Sequence, residues 1–207
     1  LFEESKILST YDFVRKETSV YEDHYHGAAV LSIIAGKVPG DYMGSAYESY
    51  FHLLISEDVF SESLAEELYW VSAAEYADSA GVDIINTSLG YTQFDDSTQN
   101  HSYADLTGNS TPAAIGSNIA SSKGILCVTS AGNSGSSSWK YISTPADADS
   151  ALTIGAVNSQ GHRADFSSVG PSSDGDIKPN VMSVGWNTYL LAPGSGEVNS
   201  GNGTSFS

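Results

Sequence analysis

A three-layer α/β/α fold around a mostly parallel central sheet, incomplete at both ends, is what this sequence predicts. Three observations predict it. Apolar, strand-like runs alternate with helical stripes across the middle of the chain. The run at residues 82–89 is nearly continuous in Val and Ile, as a strand buried on both faces requires. Glycines punctuate the helix ends and connections, as right-handed strand–helix–strand crossovers need. One sheet and one core imply a single domain, and ligands in such sheets bind beyond the carboxyl ends of the strands.

Each element can be justified in turn. Val30, Ile33 and Ile34 follow His26 at helical spacing, and Gly36 stops that run. Residues 40–49 read as a turn-rich link, and residues 50–55 as a strand filled by Phe51, Leu53, Leu54 and Ile55. Leu64, Leu68, Val71, Ala74 and Ala77 form a helical stripe closed by Gly81, with Glu66 and Glu67 expected on its solvated face. A long polar loop spans residues 91–109. Thr111-Pro112 then opens a helix on which Ile115 and Ile119 lie one turn apart, and Gly124 ends it. Residues 125–131 and 151–157 read as strands. Beyond Gly161 only a short extended piece, residues 188–191, stands out among Gly, Ser and Pro.

Composition narrows the function. With 207 residues and 40% apolar content, the chain can bury one substantial core. A formal net charge of −17 repels nucleic acid phosphates and anionic membranes, so neither is an expected partner. The acidity suits a secreted protein, although no basic-then-apolar start marks a signal peptide and no run is long enough to span a bilayer. The single cysteine, Cys127, lies within an apolar strand and reads as a small buried hydrophobe. Leu1 at the start and the stop two residues after Ser205 suggest a piece of a longer polypeptide.

Four short motifs carry the chemistry. His26-Gly27 opens a helix, Ser88-Leu89-Gly90 and Ala131-Gly132-Asn133 each end a strand, and Gly203-Thr204-Ser205 forms a small-residue turn. A base, an amide donor and a hydroxyl nucleophile therefore occur where one element gives way to another. Thr153-Ile154-Gly155-Ala156-Val157, Phe166-Ser167-Ser168, Lys178-Pro179-Asn180-Val181 and Ala192-Pro193-Gly194 accompany them in a fixed order. Together these segments resemble the subtilisin-like serine peptidases, the subtilases, from about Asp23 to Ser207.

The resemblance implies a mechanism and its site. Ser205 Oγ would attack a peptide carbonyl while His26 takes its proton as general base. The Asn133 carboxamide, with the Ser205 backbone N–H, would donate to the developing oxyanion. Ser88, Leu89 and Gly90 would offer an edge to the substrate backbone, and Ala131 and Gly132 would help wall the pocket. The expected product of the parent protein is a monomeric endopeptidase acting on peptides or proteins. It would need no cofactor, although a structural calcium is possible, with Asp95-Asp96, Asp147 with Asp149, and Asp174 with Asp176 as the acidic pairs in turns.

Some positions depart from the family pattern. Ala28 stands where relatives carry Thr, and Tyr91 follows Gly90 where many carry a small residue, either narrowing the outer cleft or beginning the loop. The third triad member, an Asp, is expected before Leu1. Asp12 and Asp23 precede His26 but lack the strand-then-glycine setting and read as structural or solvated. The 207-residue piece is therefore expected to be inactive alone. Two other readings stay open: an inactive, subtilase-like peptide-binding module, and a sedolisin-like acid peptidase, which would use Glu and Asp where this chain has His26 and Asn133.

Overall fold

The computed structural model describes residues 4–22 and 24–207, so Asp23 lies outside the described residues. Strand β1 (Ile7–Asp12) pairs in parallel with β4 (Phe51–Ile55). Asp12 closes β1 from a buried position, its carboxylate accepting from the N–H groups of Val14 at 2.7 Å and Arg15 at 2.9 Å. That is the structural role expected of it. Between these strands run α1 (Tyr25–Ala35) and a small antiparallel hairpin, β2 (Lys37–Val38) with β3 (Tyr42–Met43), where the sequence suggested only an irregular link.

Helix α2 (Ala65–Ala80) ends on Gly81, whose φ of 76° lets its N–H turn back to the carbonyls of Ala77 and Asp78. Then come β5 (Ile84–Thr87), α3 (Pro112–Ser122), β6 (Leu126–Ser130), β7 (Leu152–Val157) and β8 (Val181–Val184). These strands form one four-stranded sheet in the order β5-β6-β7-β8, every pair parallel. A hairpin of β9 (Trp186–Leu191) and β10 (Val198–Asn202) follows, and a 3-10 turn, Thr204–Phe206, ends the chain. Helix α1 packs against β9 and that final turn.

The structure corrects several expectations. The strand at 82–89 is shorter and is not buried on both faces, because Ile84 is 57% exposed and Asn86 also faces outward. Helix α3 buries Ala113, Ala114, Gly116, Ser117 and Ala120, leaving Ile115 and Ile119 exposed. Small residues win that face because α2 lies so close: a Cβ on Gly116 would meet Val71 Cγ2 at 2.9 Å. Strands β8 and β10 have no counterpart in the sequence reading: β8 is exposed and only four residues long, and β10 carries one apolar side chain, Val198. Cys127 is fully buried, as expected, and its thiol faces the Ser117 carbonyl at 3.6 Å.

Glu66 and Glu67 are the largest correction. Rather than a solvated face they are 1% and 0% exposed, since each carboxylate satisfies backbone N–H groups that would otherwise be stranded. Glu66 accepts from Asp58 N at 2.7 Å and Ser63 N at 2.9 Å, tying down the loop before α2. Glu67 reaches across to α3, accepting from Ala113 N at 3.0 Å, and its other oxygen pairs with His101 Nε2.

That pair anchors the long loop after β5, and it makes stability depend on pH. The Glu67 hydrogen bond, opposed by burial, holds His101 above its ordinary value. Its stabilisation is fully present below the unfolded imidazole value, about 6.5, and is lost as pH rises through the higher folded value. His101→Gln should therefore lower the urea midpoint most at pH 5.5–6, with the difference from the parent shrinking by pH 9 as the imidazolium disappears. A pH-independent difference between the two proteins would contradict the assigned charge on His101.

Candidate active site

Three of the predicted segments meet at the carboxyl ends of β5 and β6. Ser88 leaves the end of β5, and Ala131-Gly132-Asn133 leaves the end of β6. The Thr204–Phe206 turn lies across both. Ser205 and Ser88 are joined reciprocally: each hydroxyl donates to the other's backbone carbonyl at 3.2 Å. Gly90, next along, packs tightly on residue 143: a Cβ there would collide with Ser143 Oγ and displace that side chain.

Thr204 organises the centre, a role the sequence reading did not give it. Its N–H donates to Asn133 Oδ1 at 2.9 Å, and its hydroxyl donates to the same oxygen at 3.0 Å. The hydroxyl oxygen also accepts from Gly132 N at 3.1 Å. Asn133 thus has its carbonyl oxygen engaged by two donors and its NH2 left to other partners. The nearby hydroxyl in Gly203-Thr204-Ser205 was the available signal, but nothing in the sequence said where it would point.

His26 reaches this region from the first turn of α1. Its ring lies 6.0 Å, centroid to centroid, from Phe206, and α1 packs on the turn that carries Ser205. Burial, and after it the proximity of His24, holds the imidazole below its ordinary value, so the ring is neutral near pH 7. Among the described residues no carboxylate orients it. The Ser205 hydroxyl faces Ser88 rather than His26 in this state. Ala131, expected to help wall the pocket, is fully buried and clusters with Leu106, Ile142 and Ala146.

Tyr91 settles into the core rather than the solvent. It is 2% exposed and packs with Trp70, Ala74, Phe94 and Ala113, while its backbone pairs with Thr144, N to O at 2.8 Å. Leu89 packs against the same cluster. The Tyr91 hydroxyl donates to the Glu57 carboxylate, which burial pushes up to about 7. The residue after the Ser88-Leu89-Gly90 edge is therefore clamped from three sides.

The acidic turn residues divide. Asp149, Asp174 and Asp176 bring carboxylate oxygens within 4.8 Å of one another at the surface, a set of hard oxygen donors of the kind calcium accepts. Beside them Lys178 donates to the carbonyls of Ala148 at 2.8 Å and Ala151 at 2.9 Å. Asp147, by contrast, is fully buried and accepts from Gly108 N at 3.0 Å. No helix among the described residues is long and apolar enough to cross a membrane.

A hydroxyl, a carboxamide with its oxygen engaged and an imidazole are the groups that serine hydrolase sites use, and here they lie on neighbouring elements. Comparison with known proteins gives the family: the subtilase profile matches residues 4–207, and the chain belongs to that family. It is 38% identical to subtilisin DY of Bacillus licheniformis over 138 residues, covering 65% of this chain and 42% of that protein. It is 32% identical to subtilisin E of Bacillus subtilis (strain 168) over 196 residues, covering 93% of this chain and 45% of that protein. The chain thus spans less than half the length of these relatives. Among solved structures, the prenylagaramide maturation protease PagA is 25% identical with a TM-score of 0.65, covering 87% of this chain and 58% of that one. A mutant of the PatA protease domain, 24% identical with a TM-score of 0.68, covers 97% of this chain and 66% of that one and bears on the fold alone.

Two tests follow from this geometry. Thr204→Val keeps the shape but removes the shared hydroxyl, and should lower stability by about 1–3 kcal/mol in urea unfolding, with Thr204→Ser restoring most of it. Glu57 carries a folded-state value above its unfolded one, so its burial costs stability as pH rises from about 4.5 through 7 and the cost is fully present above. Glu57→Gln should stabilise the protein above pH 7.5, on the order of 2–3 kcal/mol at most, and hardly at all near pH 4. An equal effect at both pH values would show that the carboxyl is not titrating there.

Proposed function

We propose that the parent protein is a serine endopeptidase in which Ser205 is the nucleophile, His26 the general base and Asn133 the oxyanion donor. The observation that carries this reading is the Thr204 bridge, which ties the nucleophile's turn to Asn133 and Gly132. With its oxygen occupied, Asn133 has only its NH2 to offer a developing oxyanion, and the Ser205 N–H is the second donor. Ser205 would release the Ser88 carbonyl and give its proton to His26 as its oxygen bonds to the substrate carbon. His26 would then pass that proton to the leaving amine, and water would release the acyl group by the same path in reverse. Residues 88–90 would pair with the substrate backbone, and Gly132 would line the pocket with them.

The same reading puts the orienting Asp on a strand outside these 207 residues. The split of the sheet supports it: β4 and β5 follow one another in the chain through α2, yet they belong to separate sheets. A further strand between them would complete one sheet and bring a carboxylate towards α1. A helix continuing from Ser205 would likewise cover the outward face of Ile84, Leu126 and Val181. A structural calcium, where bound, would be held by Asp149, Asp174 and Asp176 and takes no part in the reaction. Secretion, a monomeric state and a peptide or protein substrate complete the proposal.

A fluorophosphonate probe and casein hydrolysis test it together. The parent polypeptide should label and turn over, Ser205→Ala should lose both, and Asn133→Ala should lose about 100- to 1,000-fold in kcat, the scale seen for such a donor in subtilisin. The 207-residue chain alone should do neither. Ser205-dependent turnover by this chain would overturn its assigned inactivity, and a parent protein that binds peptides without labelling would be the peptide-binding module instead. An acid optimum unaffected by His26→Gln would point to the sedolisin-like chemistry.

A further inference from the structure

His24 and His26 share the start of α1 with one residue between them. His24 is the helix N-cap, with extended backbone at φ −79° and ψ 140°, and its Nδ1 accepts from the His26 N–H at 3.2 Å. Ser, Thr, Asp or Asn usually fills this position, because each keeps an acceptor near neutral pH. An imidazole keeps one only while Nδ1 is bare, in the tautomer with its proton on Nε2. The two rings are 6.4 Å apart. A second proton on His24 would therefore act twice. It would remove the acceptor that caps the helix, and it would set a cation in the first turn, where the helix dipole opposes positive charge.

We propose that His24 is a positioning residue for His26, a proton-dependent cap that holds the helix start while neutral and opposes a second charge on its neighbour once protonated. The inference rests on His26 being the base, as argued above, but it can fail independently of that reading. On the same helix start, the Tyr25 ring lies against His24, tilted 37° to it with centroids 4.4 Å apart. The turn packed on α1 contributes Phe206, which is uncharged, together with Thr204 and Ser205. Strand β9, also packed on α1, brings Tyr189 as its one titratable side chain. Among the described residues, His24 is the one charged group that bears on the His26 ring, adding to burial in keeping it neutral.

The consequence is a base that stays unprotonated further into the acid range than an isolated imidazole at the same depth. A proton on His24, 6.4 Å away ring to ring, raises the cost of a second one on His26. Exposure of His24 lets salt screen this repulsion, so the coupling should weaken as ionic strength rises.

Histidine-selective NMR of the 207-residue chain tests this without requiring turnover. In the parent sequence, the His24 Nδ1 shift at pH 8 should be that of a bare, hydrogen-bonded nitrogen. His24→Asn keeps an acceptor and removes the titrating charge, so the His26 midpoint should rise by roughly 0.3–0.8 pH unit at low salt, less in 1 M NaCl. His24→Asp keeps the cap and reverses the charge, and should raise the midpoint further. A His26 midpoint unmoved in both variants, or a His24 carrying its proton on Nδ1 at pH 8, overturns the proposal. Ser205-dependent turnover in the parent polypeptide is read separately, so failure of the coupling and failure of the peptidase assignment are distinguishable.

Discussion

Three hydrogen bonds from one side chain and its own backbone hold the candidate site together. Thr204 donates twice to the Asn133 carbonyl oxygen and accepts from the Gly132 N–H, so the end of β6 and the final turn cannot move apart without stranding polar groups in a buried place. The other contacts in the region depend on this one. Ser205 meets Ser88 because the turn is held at that height, and Phe206 reaches the His26 ring for the same reason. A hydroxyl that merely precedes the candidate nucleophile in sequence is the joint between the elements that carry it.

Buried carboxylates play the corresponding part around the rim. In a chain with a net charge of −17, the cheapest place for an acid is the solvent, yet Glu66 and Glu67 lie inside and Glu57 nearly so. Each is repaid by hydrogen-bond donors: loop N–H groups for Glu66, a helix start and an imidazole for Glu67, and the Tyr91 hydroxyl for Glu57. Their joint effect is to fasten the loops on either side of the Ser88-Leu89-Gly90 edge. The edge is stiff because its neighbours are cross-linked by acids. Burial pushes Glu57 up to about 7 and the Glu67 contact raises His101, so pH acts on that network at both groups.

The sheet is divided at the place where the proposed function requires another strand. Strands β1 and β4 pair with each other, and β5 to β8 form a separate parallel set. Ile84 on β5 stays largely exposed, which is unusual for a parallel strand and marks a sheet face that no helix covers, while β5 itself is the outermost strand of its set. The candidate base correspondingly has burial and a neighbouring histidine acting on it, with no carboxylate among the described residues.

The sequence by itself determined the class of fold, the order of its main elements and the residue types at the site. Hydrophobic periodicity marked α1, α2, β6 and β7, glycine marked Gly81, and the motifs marked His26, Asn133 and Ser205, because these signals are local and repeat within a few residues. Tertiary structure decided everything that depends on a partner distant in the chain. Glu67 looks solvated until Ala113 and His101 are brought to it, Ile115 looks buried until the small residues of α3 prove to face α2, and Thr204 has no role until Asn133 lies beside it. Burial and hydrogen-bond satisfaction are properties of neighbours in space, and a linear pattern records only neighbours along the chain.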